Sequence, residues 1–267
     1  MADFTELKKK QRATWALGEY DRIAEGLHSV SDHVMRVARL RPGERVLDVA
    51  TGTGITALNA RARGAKVTAL DLTPELLNVA RKKAEAEGYT DIEFKEGDAE
   101  AMPFPDASFD VVLSTCGHMF APDQAKVGAE LLRVTKPGGR IVFQAWSPDG
   151  GLAGWFRITN QYAPPPAGVP PPFNWGNPDK VRELLGRGTR DLRFEHGDCP
   201  QIGASPEDVF ELFATAYGPT VRALSTLDEA KREAFRRDAL AFLKGYQAVD
   251  GKVRWGREYL VTRATRA

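Results

Sequence analysis

The stretch Val46-Leu47-Asp48-Val49-Ala50-Thr51-Gly52-Thr53-Gly54-Ile55-Thr56 decides the fold. An apolar run holding one carboxylate passes into small residues and then into a helical pattern, which reads as strand, turn and helix. Gly52 and Gly54 lack a Cβ, so the chain can turn tightly and set its amides and the next helix N-terminus against a polar or anionic group. Such a turn also needs glycine for steric reasons alone, so it does not by itself establish a binding site.

Working outward, a second apolar run, Val67-Thr68-Ala69-Leu70-Asp71, ends in a carboxylate seventeen residues beyond Gly54. A carboxylate at that place can accept both hydroxyls of a ribose. Together the two features imply adenosine binding without choosing the cofactor, because nicotinamide dinucleotides use the same geometry. The competing role for Asp71 is to cap the helix at Thr73-Pro74. Between the runs, Thr56 to Arg63 reads as a helix stopped by Gly64. After Asp71, Thr73 is a cap, Pro74 suits the first turn, and Leu76, Leu77, Ala80 and Ala84 make one apolar face before Gly88. Strands are expected at Ile92 to Lys95, Asp110 to Ser114 and Arg140 to Trp146, with Val127, Leu131 and Val134 marking a further helix. This alternation over Arg45 to Trp146 predicts an α/β fold with a parallel sheet.

The chain has 267 residues, room for between one and two domains at roughly 150 residues each. Its 42% hydrophobic and 27% charged residues match a globular protein, and 37 basic against 36 acidic residues give no reason to expect a polyanion, so nucleic acid is not an expected partner. The two cysteines, Cys116 and Cys199, have no neighbours at metal-ligand spacing, so neither a metal nor a disulfide framework is expected. The charged start Met1 to Lys10 and the lack of a long apolar run predict neither a leader nor a membrane partner and read as cytoplasmic.

After Trp146 the texture changes. Six of the nine residues from Pro164 to Pro172 are proline, with Trp155, Phe156, Tyr162, Phe173 and Trp175 around them. The reading is a shaped cover held by aromatics, which divides the chain into an N-terminal helical cap (1–40), a core (41–147 and 180–267) and a lid insertion (148–179). In the C-terminal part, Ser205-Pro206 starts one helix and Thr226-Leu227-Asp228-Glu229 has the spacing of a capping box for another. Tyr259-Leu260-Val261 reads as a closing strand.

The cofactor choice comes from Gly97-Asp98-Ala99-Glu100-Ala101-Met102-Pro103-Phe104-Pro105-Asp106-Ala107-Ser108-Phe109-Asp110 and Arg133-Val134-Thr135-Lys136-Pro137-Gly138-Gly139-Arg140-Ile141-Val142-Phe143. With these segments, residues 40 to 146 resemble the class I S-adenosylmethionine-dependent methyltransferases, particularly the bacterial group that methylates small molecules. The resemblance implies a Rossmann-like, doubly wound seven-stranded sheet, six strands parallel and one antiparallel near the C-terminus. It implies S-adenosylmethionine as cofactor, with Gly52 and Gly54 under its methionine part, Asp48 at its amino end, Asp71 on the ribose, and Asp98 with the Ala99 amide on the adenine. Ala50, Thr51, Leu72 and Ser114 complete the expected cofactor set. Ala50 departs from the fullest motif, which has glycine there. Apart from the resemblance, an adenine amino group is a donor and the Asp98 carboxylate accepts only.

The segment Ser114-Thr115-Cys116-Gly117-His118-Met119-Phe120-Ala121-Pro122-Asp123 falls where the resemblance puts the reactive methyl. It lacks the Asn/Asp-Pro-Pro-aromatic signature of many nucleic-acid and protein N-methyltransferases, which favours a small-molecule acceptor. His118 is the candidate base, because its ordinary pKa suits proton removal from a hydroxyl or amine; the alternative is a pocket-lining or backbone-paired histidine. Cys116 reads as a small buried side chain. Trp15, Tyr20 and Ile23 have the spacing of a flap, with Tyr20 the candidate for cation–π contact with the sulfonium. Trp155, Phe156, Phe173 and Trp175 are the expected acceptor contacts, which favours a moderately hydrophobic or aromatic metabolite methylated on O, N or C. Two other readings stay open: a regulatory protein that binds the cofactor without turnover, and a nicotinamide-dependent oxidoreductase, against which Asp98 and Pro137-Gly138-Gly139 speak. The oligomeric state is open, a homodimer included.

Overall fold

The computed structural model describes residues 4–267, so the first three residues of the charged start lie outside the described residues. Three helices come first: α1 (Thr5–Trp15), α2 (Tyr20–Ala24) and α3 (His28–Ala38). Helix α1 buries no residue, whereas α3 buries Val30, Val34, Met35, Val37 and Ala38 against the sheet, so the two segments have different attachments to the core.

The sheet starts with β1 (Arg45–Val49), of which every residue after Arg45 is buried. A strand covered on both faces needs this unbroken apolar run, and Asp48 is its exception. The chain continues through α4 (Ile55–Ala62), β2 (Lys66–Asp71), α5 (Pro74–Ala86), β3 (Glu93–Glu96), β4 (Phe109–Thr115), α6 (Gln124–Val134) and β5 (Thr135–Trp146). Helix α5 buries Leu76, Leu77, Ala80 and Ala84, the face read from the sequence. Next come α7 (Gly151–Tyr162), a 3₁₀ turn at Pro172–Gly176, α8 (Pro178–Leu185), β6 (Thr189–Asp198) and β7 (Gln201–Gly203). The chain closes with α9 (Pro206–Ala216), α10 (Gly218–Thr226), α11 (Glu229–Lys244), β8 (Val253–Trp255) and β9 (Glu258–Arg266).

Seven strands form one sheet in the order β3-β2-β1-β4-β5-β9-β6. Strand β9 runs antiparallel to both β5 and β6, while β1 to β5 pair in parallel, so six strands point one way and β9 the other. This is the α/β, Rossmann-like arrangement expected. The order reverses at β1 and β4, and in such sheets the ligand crevice opens at the carboxyl ends of the strands beside that reversal.

Some local expectations shift. Thr73 occupies the N-cap of α5 without a side-chain bond; its N–H donates instead to Asp71 Oδ1 (2.8 Å). The expected capping box at Thr226 is displaced: Asp228 caps α11, accepting from the Lys231 N–H at 2.9 Å. No helix among the described residues is long and apolar enough to cross a membrane.

Candidate active site

Strand β1 delivers Asp48 to the crevice, fully buried. Its Oδ2 accepts from the Thr51 hydroxyl at 2.6 Å, but its Oδ1 has no hydrogen-bond partner. Burial pushes the Asp48 carboxyl up to about 7. A buried carboxylate oxygen left without a donor is costly, and a cationic ligand group in the adjoining cavity would satisfy it.

Strand β2 delivers Asp71, also buried. Its Oδ2 accepts from the Gly52 N–H (2.7 Å) and its Oδ1 from the Thr73 N–H (2.8 Å). Burial raises its carboxyl and these amides oppose the rise. Each oxygen keeps lone-pair capacity, so the carboxylate is both fixed in orientation and able to accept two hydroxyls. Asp98 follows β3; its Oδ1 accepts from the Glu100 N–H (2.9 Å) and its Oδ2 from the Lys8 ammonium (2.6 Å).

The turn after β1 is strained where the sequence departs from the usual motif. Ala50 sits at φ 54°, left-handed backbone that disfavours a residue with a Cβ. The Ala50 Cβ also fixes its neighbour: a Cβ built on Gly117 would lie 2.4 Å from it, so Gly117 has to be glycine. Gly54, at φ 88°, begins α4, and a Cβ there would meet the Ala80 Cβ at 2.9 Å.

One cavity runs from Asp98 and Ala99 past Asp71, Leu72, Gly52, Thr51 and Asp48 to Ala50, Tyr20, Cys116 and Phe120. Thus Tyr20, Asp48, Ala50, Thr51, Gly52, Asp71, Leu72, Asp98 and Ala99 all line it, and the Tyr20 ring stands over Gly52. Gly54 and Ser114 do not. Gly54 serves the close approach of α4 to α5, and the buried Ser114 hydroxyl donates to the Val49 carbonyl at 2.7 Å. Both assignments to cofactor contact are corrected accordingly.

The assignment of His118 as a base is also corrected. It is completely buried, with its ring 4.6 Å from Phe143 and 4.8 Å from Trp175, and it lies outside the cavity wall. Because the Ser114 hydroxyl already gives its proton to Val49, His118 Nδ1–H is the donor in the 3.0 Å contact with Ser114 Oγ. That leaves Nε2 deprotonated, buried and unpartnered. Burial pulls the His118 imidazole down to about 3, so it stays neutral at physiological pH and has no route to a substrate proton.

The four aromatics assigned to the acceptor do not line the cavity either. Trp155 packs among Phe213, Phe235 and Trp255 with its indole N–H on Thr220 Oγ1 (3.1 Å), and Trp175 packs on His118. Phe173 meets Phe156 edge-on, and Phe156 stacks on Phe120 at 6.1 Å. The 148–179 segment therefore backs the cavity wall through Phe120. The covering residues are instead Lys8, Gln11 and Trp15 of α1, spaced three and four apart on one helical face. Lys8 bridges Asp98 and Glu100, Gln11 donates to the Phe120 carbonyl at 2.8 Å, and Trp15 meets Tyr20 and Phe120 edge-on. The sequence signalled Trp15 and Tyr20; the Lys8-Gln11-Trp15 spacing was legible but has no apolar pattern to single it out.

An acidic residue at the end of each of three adjacent parallel strands, beside a glycine turn, defines a nucleoside-binding α/β enzyme. A methyltransferase-domain profile matches residues 47–143. A protein of Mycobacterium tuberculosis, described as uncharacterised, is 37% identical over 94% of this chain and 92% of its own. The demethylmenaquinone methyltransferase of Thermus thermophilus is 47% identical over 39% of this chain and 48% of its own. The crystal structure of a putative methyltransferase from Bacillus halodurans, 24% identical, aligns with TM-score 0.60 over 89% of this chain and 98% of that one. The chain belongs to the class I S-adenosylmethionine-dependent methyltransferases.

The residues present fit that cofactor. The orphaned Asp48 oxygen would take an ammonium, Asp71 the two ribose hydroxyls, Asp98 the adenine amino group, and the Tyr20 ring would face a neighbouring cation.

Proposed function

We propose that this methyltransferase acts on a small, largely apolar molecule held at the Cys116 to Pro122 end of the cavity. The observation that carries the reading is the continuity of a single cavity from the acidic residues to a wall made of Trp15, Tyr20, Leu27, Phe120 and Pro122. When bound, the cofactor supplies a methyl group already activated as an electrophile on a sulfonium.

The chain's own residues then have to align, enclose and keep dry. Alignment of two bound reactants contributes roughly 7–11 kcal/mol to such a reaction. The titratable groups at this end do not act as bases: burial pushes both the Cys116 thiol and the Tyr20 hydroxyl up, so each keeps its proton at neutral pH. The Cys116 thiol is moreover spent on Gln144 Oε1 at 2.8 Å. With no base at this end, the acceptor would have to bring a nucleophilic atom already free of its proton or carrying a lone pair, to which the cofactor, when bound, would give up its methyl and leave as the neutral thioether. Helix α1 excludes water by closing over the cavity, with Lys8 anchoring it to Asp98 and Glu100.

The test is turnover with a metabolite library, read by mass spectrometry as the gain of one CH₂. Apolar small molecules should be methylated. Cofactor binding without any methylated product would favour a regulatory protein instead.

A further inference from the structure

At the end of the sheet remote from the crevice, three neighbouring strands each raise an arginine from one face. Arg263 of β9 lies directly opposite Arg193 of β6 in the ladder, and Arg140 of β5 lies opposite Thr265, two residues further along β9. Opposed residues share a face, as do residues two apart on one strand, so Arg140, Arg193 and Arg263 stand together. Helix α3 covers the same face further up, where His33 Nδ1 meets the Tyr259 hydroxyl at 3.0 Å and Arg36 Nη2 donates to Glu195 Oε2 at 2.7 Å. The helix stops at Ala38, and Arg39, just beyond it, adds a fourth guanidinium to the group; the Arg39 carbonyl lies 3.5 Å from Arg140 Nη2. None of the four lines the cofactor cavity.

The charges in this group do not balance. Arg140 is paired with Glu44 at 2.6 Å, and Glu195 is taken by Arg36 and His33. Among the described residues no carboxylate pairs with Arg39, Arg193 or Arg263, and Asp191 acts on Arg263 only through space. The Nε atoms of Arg140 and Arg263 are buried without a hydrogen-bond partner. Like charges directly opposite on paired strands are destabilising, because their Cβ atoms are only about 4.5–5.5 Å apart. Burial and then the charges of Arg140, Arg193 and Arg39 hold the Arg263 guanidinium below its ordinary range. The carbonyl end of α3 offsets part of this cost. Arg39 and Arg193 are exposed, so the group opens directly to solvent.

We propose that Arg39, Arg140, Arg193 and Arg263 form a second binding site, separate from the methyl-transfer cavity, for the phosphate or pyrophosphate group of a small molecule. Such a group presents oxygens in several directions and carries up to about two charges per phosphate, so it can take guanidinium forks from more than one strand at once. A carboxylate has two oxygens and one charge, which leaves most of the cluster unpaired. The arginines converge from strands about 4.8 Å apart instead of following a long stripe, and the chain as a whole carries only +1, which favours a small ligand over a nucleic-acid backbone.

The probes are inorganic phosphate and pyrophosphate, titrated into the full chain in chloride buffers of matched ionic strength, so that general screening is held constant. Pyrophosphate should bind saturably and raise the thermal midpoint by about 2–4 °C. Arg193→Gln and Arg263→Gln should each weaken binding by about tenfold or more, and Arg263→Lys should weaken it less. With no probe present, Arg193→Gln should raise the midpoint, because one of two opposed like charges is gone; loss of an arginine that merely supports the fold would lower it. S-adenosylhomocysteine affinity should stay within about twofold of the parent, and Arg237→Gln, exposed on α11, should leave pyrophosphate binding unchanged. Arg193 is exposed on an edge strand, so its variant keeps the test decisive if Arg263→Gln does not fold. No saturable binding, binding undiminished in Arg193→Gln, an equal loss in Arg237→Gln, or a lowered midpoint in Arg193→Gln would overturn the site. Duplex DNA bound at this face and not displaced by pyrophosphate would assign it to nucleic acid and overturn the small-ligand reading.

Discussion

Replacing Asp48 with asparagine tests the most unusual group in the cavity. Its carboxyl is raised from the ordinary 3.8 to about 7 because it is wholly buried and only Oδ2 has a donor. A difference of that size is worth on the order of 4 kcal/mol in favour of the neutral form. The folded protein therefore holds a proton there that the unfolded chain releases. The stability this contributes is fully present below about pH 4 and is lost as pH rises through about 7. Asp48→Asn, which cannot ionise, should be more stable than the parent at about pH 8 when both are ligand-free, and the gap should close towards about pH 5. Binding works the other way. An ammonium against Oδ1 requires the ionised carboxylate, so S-adenosylhomocysteine affinity should rise by up to about tenfold per pH unit towards about pH 7 and then level off. Calorimetric titration between about pH 6 and pH 8, in two buffers of different ionisation enthalpy, should show close to one proton released at the acid end and none at the alkaline end. The asparagine variant should bind roughly ten- to a hundredfold more weakly at about pH 8 and show no pH slope. A flat parent profile, or an unchanged slope in the variant, would refute the assignment.

Three further outcomes follow from the geometry. His118→Phe should fill the niche between Phe143 and Trp175 and keep activity; because burial holds the native imidazole down at about 3, the parent should lose stability as pH falls below about 6.5 and the variant should lose less, as read by thermal unfolding across pH. Ala50→Gly removes a left-handed alanine costing about 1–2 kcal/mol, set against about 0.5–1 kcal/mol of added chain entropy, so urea unfolding should show a modest gain with cofactor affinity unchanged. Truncation before Leu17 removes Lys8, Gln11 and Trp15 from the cavity wall, so S-adenosylhomocysteine should bind about tenfold more weakly and leave faster; intact stopped-flow and equilibrium values would show that α1 is no cover.

Where the physics is local, the sequence could be read. The β1 turn and Asp71 at the end of β2 follow from strand endings and spacing, Asp98 after β3 follows from the resemblance, and all three reach one cavity. Strand β6 was not legible, since Thr189–Asp198 is an edge strand with an almost wholly unburied pattern that is fixed by pairing with β9. Trp155 and Trp175 misled because aromatic composition looks the same in a lid and in a core; only the packing of β8, α9 and α11 around Trp155, and of His118 and Phe143 around Trp175, shows them to be interior. His118 lay at the right place in the chain, but the side chain turns inward to Ser114, which no spacing reveals.

If the cavity from Asp98 to Phe120 holds the methyl donor through its row of carboxylates, titration of S-adenosylhomocysteine into the parent, Asp71→Ala and Asp98→Ala, with NADH as competitor, should show saturable binding to the parent, a loss of about tenfold or more in each variant, and no competition from NADH. Unchanged affinity in both folded variants, or displacement by NADH at comparable concentration, would contradict it.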